Sequence, residues 1–303
     1  MPFDASELSA MTRRTGILGA AAALLSGCSG ATILNTLVPD SGYTEQRDIA
    51  FGDDPRQKLD TYRPAKPGGP TGGIPPLVVF FYGGSWSEGE KTEYRFVGQA
   101  LASAGAVVVI ANYRLSPQVH YPVFLQDCAR ATAWAFDHAR ELGSDPKHLV
   151  VMGHSAGAYN AAMLALDPRW LGAVGHSPSK LKSWIGMAGP YDFLPIGDPA
   201  TQVAFSWPDT PAESQPLLHA SAKAPRTLLM AANDDKLVNP VRNTLALAAR
   251  LRSDGVDVTL HTYNRVSHVT LVGSLGTPLR FLAPTRRDII QFIGLDAAAE
   301  SPA

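Results

Sequence analysis

Cysteine is nearly missing from this chain: only Cys28 and Cys128 occur in 303 residues. That excludes a disulfide framework, and with no Cys-x-x-Cys spacing it also excludes the common zinc motifs. Charge of one sign is missing too, since 26 Lys and Arg stand against 27 Asp and Glu. Without a basic stripe, no nucleic-acid partner is expected. There is no internal repeat, so a solenoid is excluded. No apolar run reaches the roughly 20 residues that a membrane-spanning helix needs. Glycine and proline are frequent but scattered, and they read as turns rather than low complexity. Cys128 lies in an apolar helical stretch and reads as an inert buried thiol.

The first 30 residues differ from the rest. "MTRRTGILGAAAALLSGCSG" has a positive pair, Arg13-Arg14, then an apolar run, then small residues. This is the order of an export signal. Thr12-Arg13-Arg14 resembles a bacterial twin-arginine signal. Leu25-Ser26-Gly27-Cys28 resembles the lipobox of bacterial lipoproteins. That resemblance implies cleavage before Cys28, lipidation of its thiol, and a soluble domain tethered to a membrane outside the cytoplasm. A plain cleaved signal with an incidental cysteine is the alternative, and Met11 is an alternative start. The expected organisation is a signal over 1–27, a tether over 28–42, one domain over 43–296 and a tail over 297–303.

Within that domain, segments 47–51 and 58–62 flank the turn "GDDPRQ" and predict an antiparallel hairpin. Six apolar runs follow, at 77–82, 106–113, 148–152, 183–188, 227–232 and 256–263. Most are near-continuous rather than alternating, as strands covered on both faces should be. Helical patterns at 96–104, 122–142, 156–166, 240–253 and 286–292 lie between or after them. The alternation predicts an α/β fold with a mostly parallel central sheet and helices on both faces. Ligands in such sheets bind at the carboxyl ends of the strands. Residues 192–225 break the rhythm, and an excursion of that length is either a lid over a site or an ordered surface segment.

One strand end carries a chemical signature. The run "HLVVM" leads into Gly153-His154-Ser155-Ala156-Gly157, and a helix starts at once. Gly-x-Ser-x-Gly between strand and helix is the nucleophile elbow of α/β-hydrolases. A nucleophilic serine needs a base, and the base an orienting acid, in the chain order Ser, Asp or Glu, His. Asp234 and Asp235 follow the 227–232 strand, and His268 lies in the loop after 256–263. Backbone donors for a developing oxyanion are expected at Ala156 and in the loop Tyr82-Gly83-Gly84-Ser85-Trp86, at Gly83 and Gly84. Trp86, Tyr113 and Tyr159 fall near strand ends and are candidates to line a substrate pocket, while His154 reads as structural.

Over about residues 43–294 the chain resembles the α/β-hydrolase carboxylesterases, near the hormone-sensitive-lipase-like and BD-FAE (feruloyl-esterase-like) groups. "QKLDTYRP", "FYGGSWSEGEK", "NYRLSP", "GHSAG", "NDDKLV" and "RVSH" carry the resemblance. In those families the acid commonly sits in an Asp-x-x-Val pattern, which selects Asp235 over Asp234, and Asp234 is then expected to cap or stabilise the loop. The families usually show His-Gly-Gly-x before the oxyanion hole, where this chain has Tyr82. A tyrosine can brace that loop through its ring and hydroxyl. The resemblance implies hydrolysis of small or medium acyl esters, a small-molecule ester partner, and no metal or organic cofactor. The Gly-Gly-x-Trp loop is shared with arylformamidases, so an amide hydrolase is one alternative. A non-catalytic binding protein on the same scaffold is another.

Overall fold

The computed structural model describes residues 34–65 and 73–295. The expected signal, Cys28 and the start of the tether, residues 66–72 between β2 and β3, and the 297–303 tail lie outside the described residues. The strands are β1 (Tyr43–Ala50), β2 (Lys58–Pro64), β3 (Leu77–Phe81), β4 (Val107–Ala111), β5 (Leu149–His154), β6 (Ser183–Met187), β7 (Thr227–Ala232) and β8 (Val258–Tyr263). They form one sheet in the order β1-β2-β4-β3-β5-β6-β7-β8. β1 pairs antiparallel with β2 and β2 antiparallel with β4, and every other neighbour pair is parallel. The hairpin and the mostly parallel sheet are those the sequence predicts. β3 to β7 are buried at every residue, which is why they read as unbroken apolar runs. The edge strand β1 faces solvent along most of its length and β8 is half-buried, and both are correspondingly polar or mixed.

The helices are α1 (Arg95–Ala102), α2 (Val123–His138), α3 (Ala156–Leu166), α4 (Pro168–Gly172), α5 (Pro199–Ala204), α6 (Ala246–Ser253), α7 (His268–Gly273) and α8 (Thr285–Phe292). α2, α3 and α4 pack together as one layer, and α1 packs with α8. α3 is buried at every position, as its all-round apolar sequence requires. α2 stops at His138, short of the expected 142, and leaves through a turn closed by the Ser144 N–H on the Ala139 carbonyl. The helix expected over 240–253 opens with a π-helical turn, Val241–Leu245, before α6.

The excursion over 192–225 is an ordered segment anchored to the core at Ile196, Ala204, Phe205 and Ala220. It consists of α5 and two 3₁₀ turns, each opened at a proline or just after one. Segments that short leave no periodicity to read. Phe193 and Phe205 from it pack against Trp86 and Tyr159.

A buried ion pair locks the hairpin to the loop after β3. The Lys91 ammonium is 2.8 Å from Asp60 on β2 and 2.7 Å from Asp48 on β1. The Lys91 and Asp60 side chains are 3% and 1% exposed. Burial alone would lower the Lys91 pKa, yet its bonds to Asp48 and Asp60 carry it above the usual lysine value. Replacing one member of a buried pair strands the other charge, at a cost of about 3–5 kcal/mol. We therefore expect Lys91→Met to lower urea-unfolding stability by that amount. Arg47→Met, at the half-exposed pair with Glu45, should lower it by no more than about 1 kcal/mol.

Candidate active site

The site begins where β5 meets α3. Strand and helix are separated by one residue, Ser155, at φ 54° and ψ −123°. A left-handed φ in a non-glycine residue costs of order 1–3 kcal/mol and persists only where the surroundings dictate it. Here two glycines dictate it. A Cβ at Gly153 would overlap the Gly157 carbonyl, and a Cβ at Gly157 would overlap the carbonyl of Phe81 on β3. With neither present, α3 can press its first turn onto the strands. The Ser155 N–H donates to the Met187 carbonyl at 2.9 Å, which extends the β5–β6 ladder through the turn.

Ser155 meets two distant residues. Its Oγ lies 2.8 Å from His268 Nε2, and His268 Nδ1 lies 2.7 Å from Asp235 Oδ2. With a carboxylate on Nδ1, that nitrogen carries the proton, and the serine hydroxyl donates to Nε2. His268 and Asp235 are each 7% exposed, so the chain of bonds is shielded from water. Asp235 Oδ1 also accepts the N–H groups of Leu237 and Val238, at 2.9 and 3.0 Å. Burial is the largest single influence on Asp235 and acts to raise its pKa. The His268 bond and charge and the two backbone donors outweigh it, and the carboxyl lies below its ordinary value.

Between the two aspartates, then, Asp235 is the one that contacts the histidine. Asp234 points outward and pairs with Lys236. Of the two roles expected of Asp234, capping falls to Asp235 instead, while the pair with Lys236 lies within the same loop. His268 is likewise not in a loop. It is the first residue of α7, whose start is fixed by a reciprocal cap between Ser267 and Thr270. The signal for that cap was present as Ser-x-x-Thr, but threonine stands where the usual motif has Glu or Gln.

The loop after β3 lies beside the serine. A Cβ on Gly83 would stand 2.9 Å from Ser155 Cβ. Gly84 (φ +121°), Ser85 (φ 47°) and Trp86 (φ 56°) follow in left-handed conformations. The turn is closed by the N–H groups of Ser87 and Glu88 on the Gly84 carbonyl. Ala156 opens α3, so its N–H has no intrahelical acceptor. Gly83 and Ala156 thus lie beside Ser155, and Gly84 follows Gly83 in the same turn.

Tyr82 braces this loop from behind. Its hydroxyl donates to Asn112 Oδ1 at 3.0 Å and accepts from the Arg56 guanidinium at 2.9 Å. Its ring stacks on Tyr113, with centroids 4.7 Å apart. Burial pushes the Tyr82 hydroxyl pKa well up, which keeps the donor protonated. Arg56 also donates to the carbonyls of Tyr113 and Gly89. Nothing in the sequence marks Arg56 for this role, since it sits in a surface-like turn.

The three aromatic pocket candidates are buried and hydrogen-bonded internally. Tyr113 is fully buried and donates to the Tyr82 carbonyl at 2.9 Å. Tyr159, also fully buried, donates to the Ser214 carbonyl, and Trp86 (2% exposed) donates to Asn160 Oδ1. Each polar tip is spent on an internal partner. Cys128 is buried and free, and burial pushes its thiol pKa well up. Among the described residues no cluster of three or more His, Cys, Asp or Glu could hold a metal ion.

His154 is closer to the chemistry than its sequence position indicates. Its Nε2 lies 2.9 Å from the His268 carbonyl, and the two rings are 4.9 Å apart. Burial first, and the neighbouring His268 second, lower its pKa from 6.5 to about 3.

The profile of the BD-FAE family matches residues 59–251. Isoprenylcysteine alpha-carbonyl methylesterase ICME of Arabidopsis thaliana is 31% identical over 157 residues, covering 50% of this chain and 36% of that protein. Esterase LipC of Mycobacterium tuberculosis is 28% identical over 233 residues, covering 70% of this chain and 56% of that protein. The chain spans about half the length, or less, of the first curated relatives it matches. Among solved structures, an inhibited esterase B from Lactobacillus rhamnosis superposes with a TM-score of 0.73 at 20% identity, covering 91% of this chain and 95% of that one. That likeness shows the fold, an α/β-hydrolase.

Two outcomes follow from this geometry. Gly157→Ala should cost about 3 kcal/mol or more in urea unfolding, because backbone must move to admit the methyl. Gly172→Ala, with open space around its Cβ, should be neutral within about 1 kcal/mol. The second concerns pH. The folded pKa of His154 lies below its unfolded value, so between 6.5 and about 3 the unfolded chain binds the extra proton. Its contribution is complete above pH 6.5 and falls on acidification, by about 2 kcal/mol between pH 7 and pH 5. Asp235 acts in the same direction, but only below its unfolded value near 3.8. Urea titrations at the two pH values should show this loss in wild type and a smaller one, by about that amount, in His154→Gln.

Proposed function

The chain belongs to the BD-FAE family, and from that premise we propose that it is a serine carboxylesterase acting on small or medium acyl esters. The unbroken series Asp235–His268–Ser155, with links of 2.7 and 2.8 Å, carries this reading. His268 Nε2 takes the hydroxyl proton as Ser155 Oγ attacks the ester carbonyl carbon. The N–H groups of Gly83, Gly84 and Ala156 receive the negative charge that develops on the carbonyl oxygen, an effect worth roughly 3–4 kcal/mol per donor. The tetrahedral intermediate collapses, the alcohol leaves with the proton from His268, and the acyl group stays on Ser155. Water then attacks the acyl-enzyme and gives its proton to His268, which passes it to Ser155 Oγ as the acyl–oxygen bond breaks and the carboxylic acid leaves. Asp235 holds the imidazole tautomer and stabilises its charged form throughout. The lowered pKa of Asp235 supports that role.

The names of the relatives, a methylesterase and an esterase, are in keeping with a small ester substrate. A second reading, hydrolysis of an aryl formamide, draws on the Gly83-Gly84-Ser85-Trp86 loop alone. We further propose export and lipidation at Cys28, on the strength of Arg13-Arg14, the apolar run and the Leu25–Cys28 box.

A fluorophosphonate probe should label Ser155 in the folded protein, and a p-nitrophenyl ester series should be turned over faster than N-formylkynurenine. Ser155→Ala should abolish labelling and lower kcat by at least about 10⁴-fold, with urea stability unchanged within about 1 kcal/mol. Folded wild-type protein that neither labels nor hydrolyses any ester would sink the assignment, and preference for the formamide would move it to the second reading.

A further inference from the structure

The residue before the nucleophile is joined to the base. His154 ends β5, its ring is buried, and its Nε2 sits 2.9 Å from the main-chain oxygen of His268. A carbonyl oxygen only accepts, so Nε2 carries the proton. Nδ1 is then a bare acceptor, and it is buried with no hydrogen-bond partner. That arrangement is expensive: an apolar side chain of similar shape would fill the space without an orphaned polar atom. Packing therefore does not account for an imidazole here, whereas its one satisfied bond does.

We propose that His154 is a positioning residue, whose Nε2–H bond to the His268 carbonyl fixes the general base relative to Ser155. The proposal rests on the esterase reading above. It joins positions 114 residues apart in sequence, one of them covalently adjacent to the nucleophile. The base needs such a tie. α7, which His268 opens, is only six residues long, too short to hold itself in place. Displacing a catalytic group by about 1 Å costs on the order of 10²-fold in rate. His154 also reaches towards the oxyanion loop, where its Nδ1 lies 3.3 Å from the position of a Cβ on Gly83. His154 is thus next to Ser155 in the chain, bonded to the His268 carbonyl and close to Gly83. Burial and the nearby His268 keep it neutral down to about pH 3, so it adds no second positive charge when His268 is protonated during turnover.

Two substitutions separate the bond from the ring. His154→Phe keeps a ring and removes the donor, while His154→Gln places an N–H at similar reach and removes the ring. We expect Phe to lower kcat on a p-nitrophenyl ester by about 10- to 100-fold, with KM changed less than about threefold. Gln should stay within about threefold of wild-type kcat. In proton NMR the far-downfield signal of the His268 Nδ1–H, bonded to Asp235, should persist in Gln and broaden or vanish in Phe. His154→Leu supplies the same donor-free comparison should the Phe variant not fold. A folded donor-free variant with wild-type kcat and signal overturns the proposal, as does a folded Gln variant as impaired as Phe. Because the NMR signal needs no turnover, it tests the tie even if wild type proves unable to hydrolyse esters, a result that would overturn the esterase reading instead.

Discussion

Most of what this site can do depends on how closely α3 is pressed against the sheet. The contact is backbone on backbone. The first turn of the helix approaches β3 and β5 so nearly that Gly153 and Gly157 have no room for a side chain. A helix this close leaves a single residue to reverse the chain, and that residue must take a left-handed φ. The strain on Ser155 is thus a consequence of layer spacing. The same approach sets the Ser155 hydroxyl at the carboxyl edge of the sheet, with the Ala156 N–H beside it. Helix, strain and hydroxyl position are one constraint seen at three scales.

What sustains the strain is the density of polar bonds around it. Ser155 donates to His268, His268 donates to Asp235, and Asp235 accepts from two backbone N–H groups. Behind the loop after β3, Tyr82, Tyr113, Asn112 and Arg56 form a second closed set. Buried networks of this kind hold a geometry firmly when every member is satisfied. His154 Nδ1 is the exception beside the nucleophile, and an unsatisfied atom in such surroundings marks a side chain retained for another of its atoms.

The strands, their types and the chain order Ser155, Asp235, His268 were legible because each rests on a local pattern. Continuous apolar runs mark strands covered on both faces, and Gly-x-Ser-x-Gly marks a backbone that admits no side chain at two places. The rest depends on three-dimensional partners. Asp234 and Asp235 are chemically identical in sequence, and only the direction of the turn separates an outward carboxylate from one that meets His268. Trp86, Tyr113 and Tyr159 lie near strand ends, as pocket residues would, but their polar tips are claimed by Asn160, Tyr82 and Ser214, which no spacing reveals. The excursion over 192–225 hid α5 because six residues are too few to show a period.

Tyr82 shows how far the support of such a site can extend. A tyrosine is longer than the histidine usual in the family, and its hydroxyl reaches deeper behind the loop. It therefore needs partners there, which Asn112 at the end of β4 and Arg56 supply. Arg56 belongs to the turn of the β1–β2 hairpin, at the far edge of the sheet from β7 and Asp235. That turn is itself pinned, since Gln57 donates to the buried Asp127 at 2.7 Å and Arg114 grips the same carboxylate. Lys91 ties the hairpin strands to the chain just beyond the oxyanion loop. The antiparallel hairpin thus supports Gly83 and Gly84 without touching a reacting atom. Tyr82 places its brace behind the loop after β3, and Asn112 and Arg56 are the residues whose loss would loosen that loop.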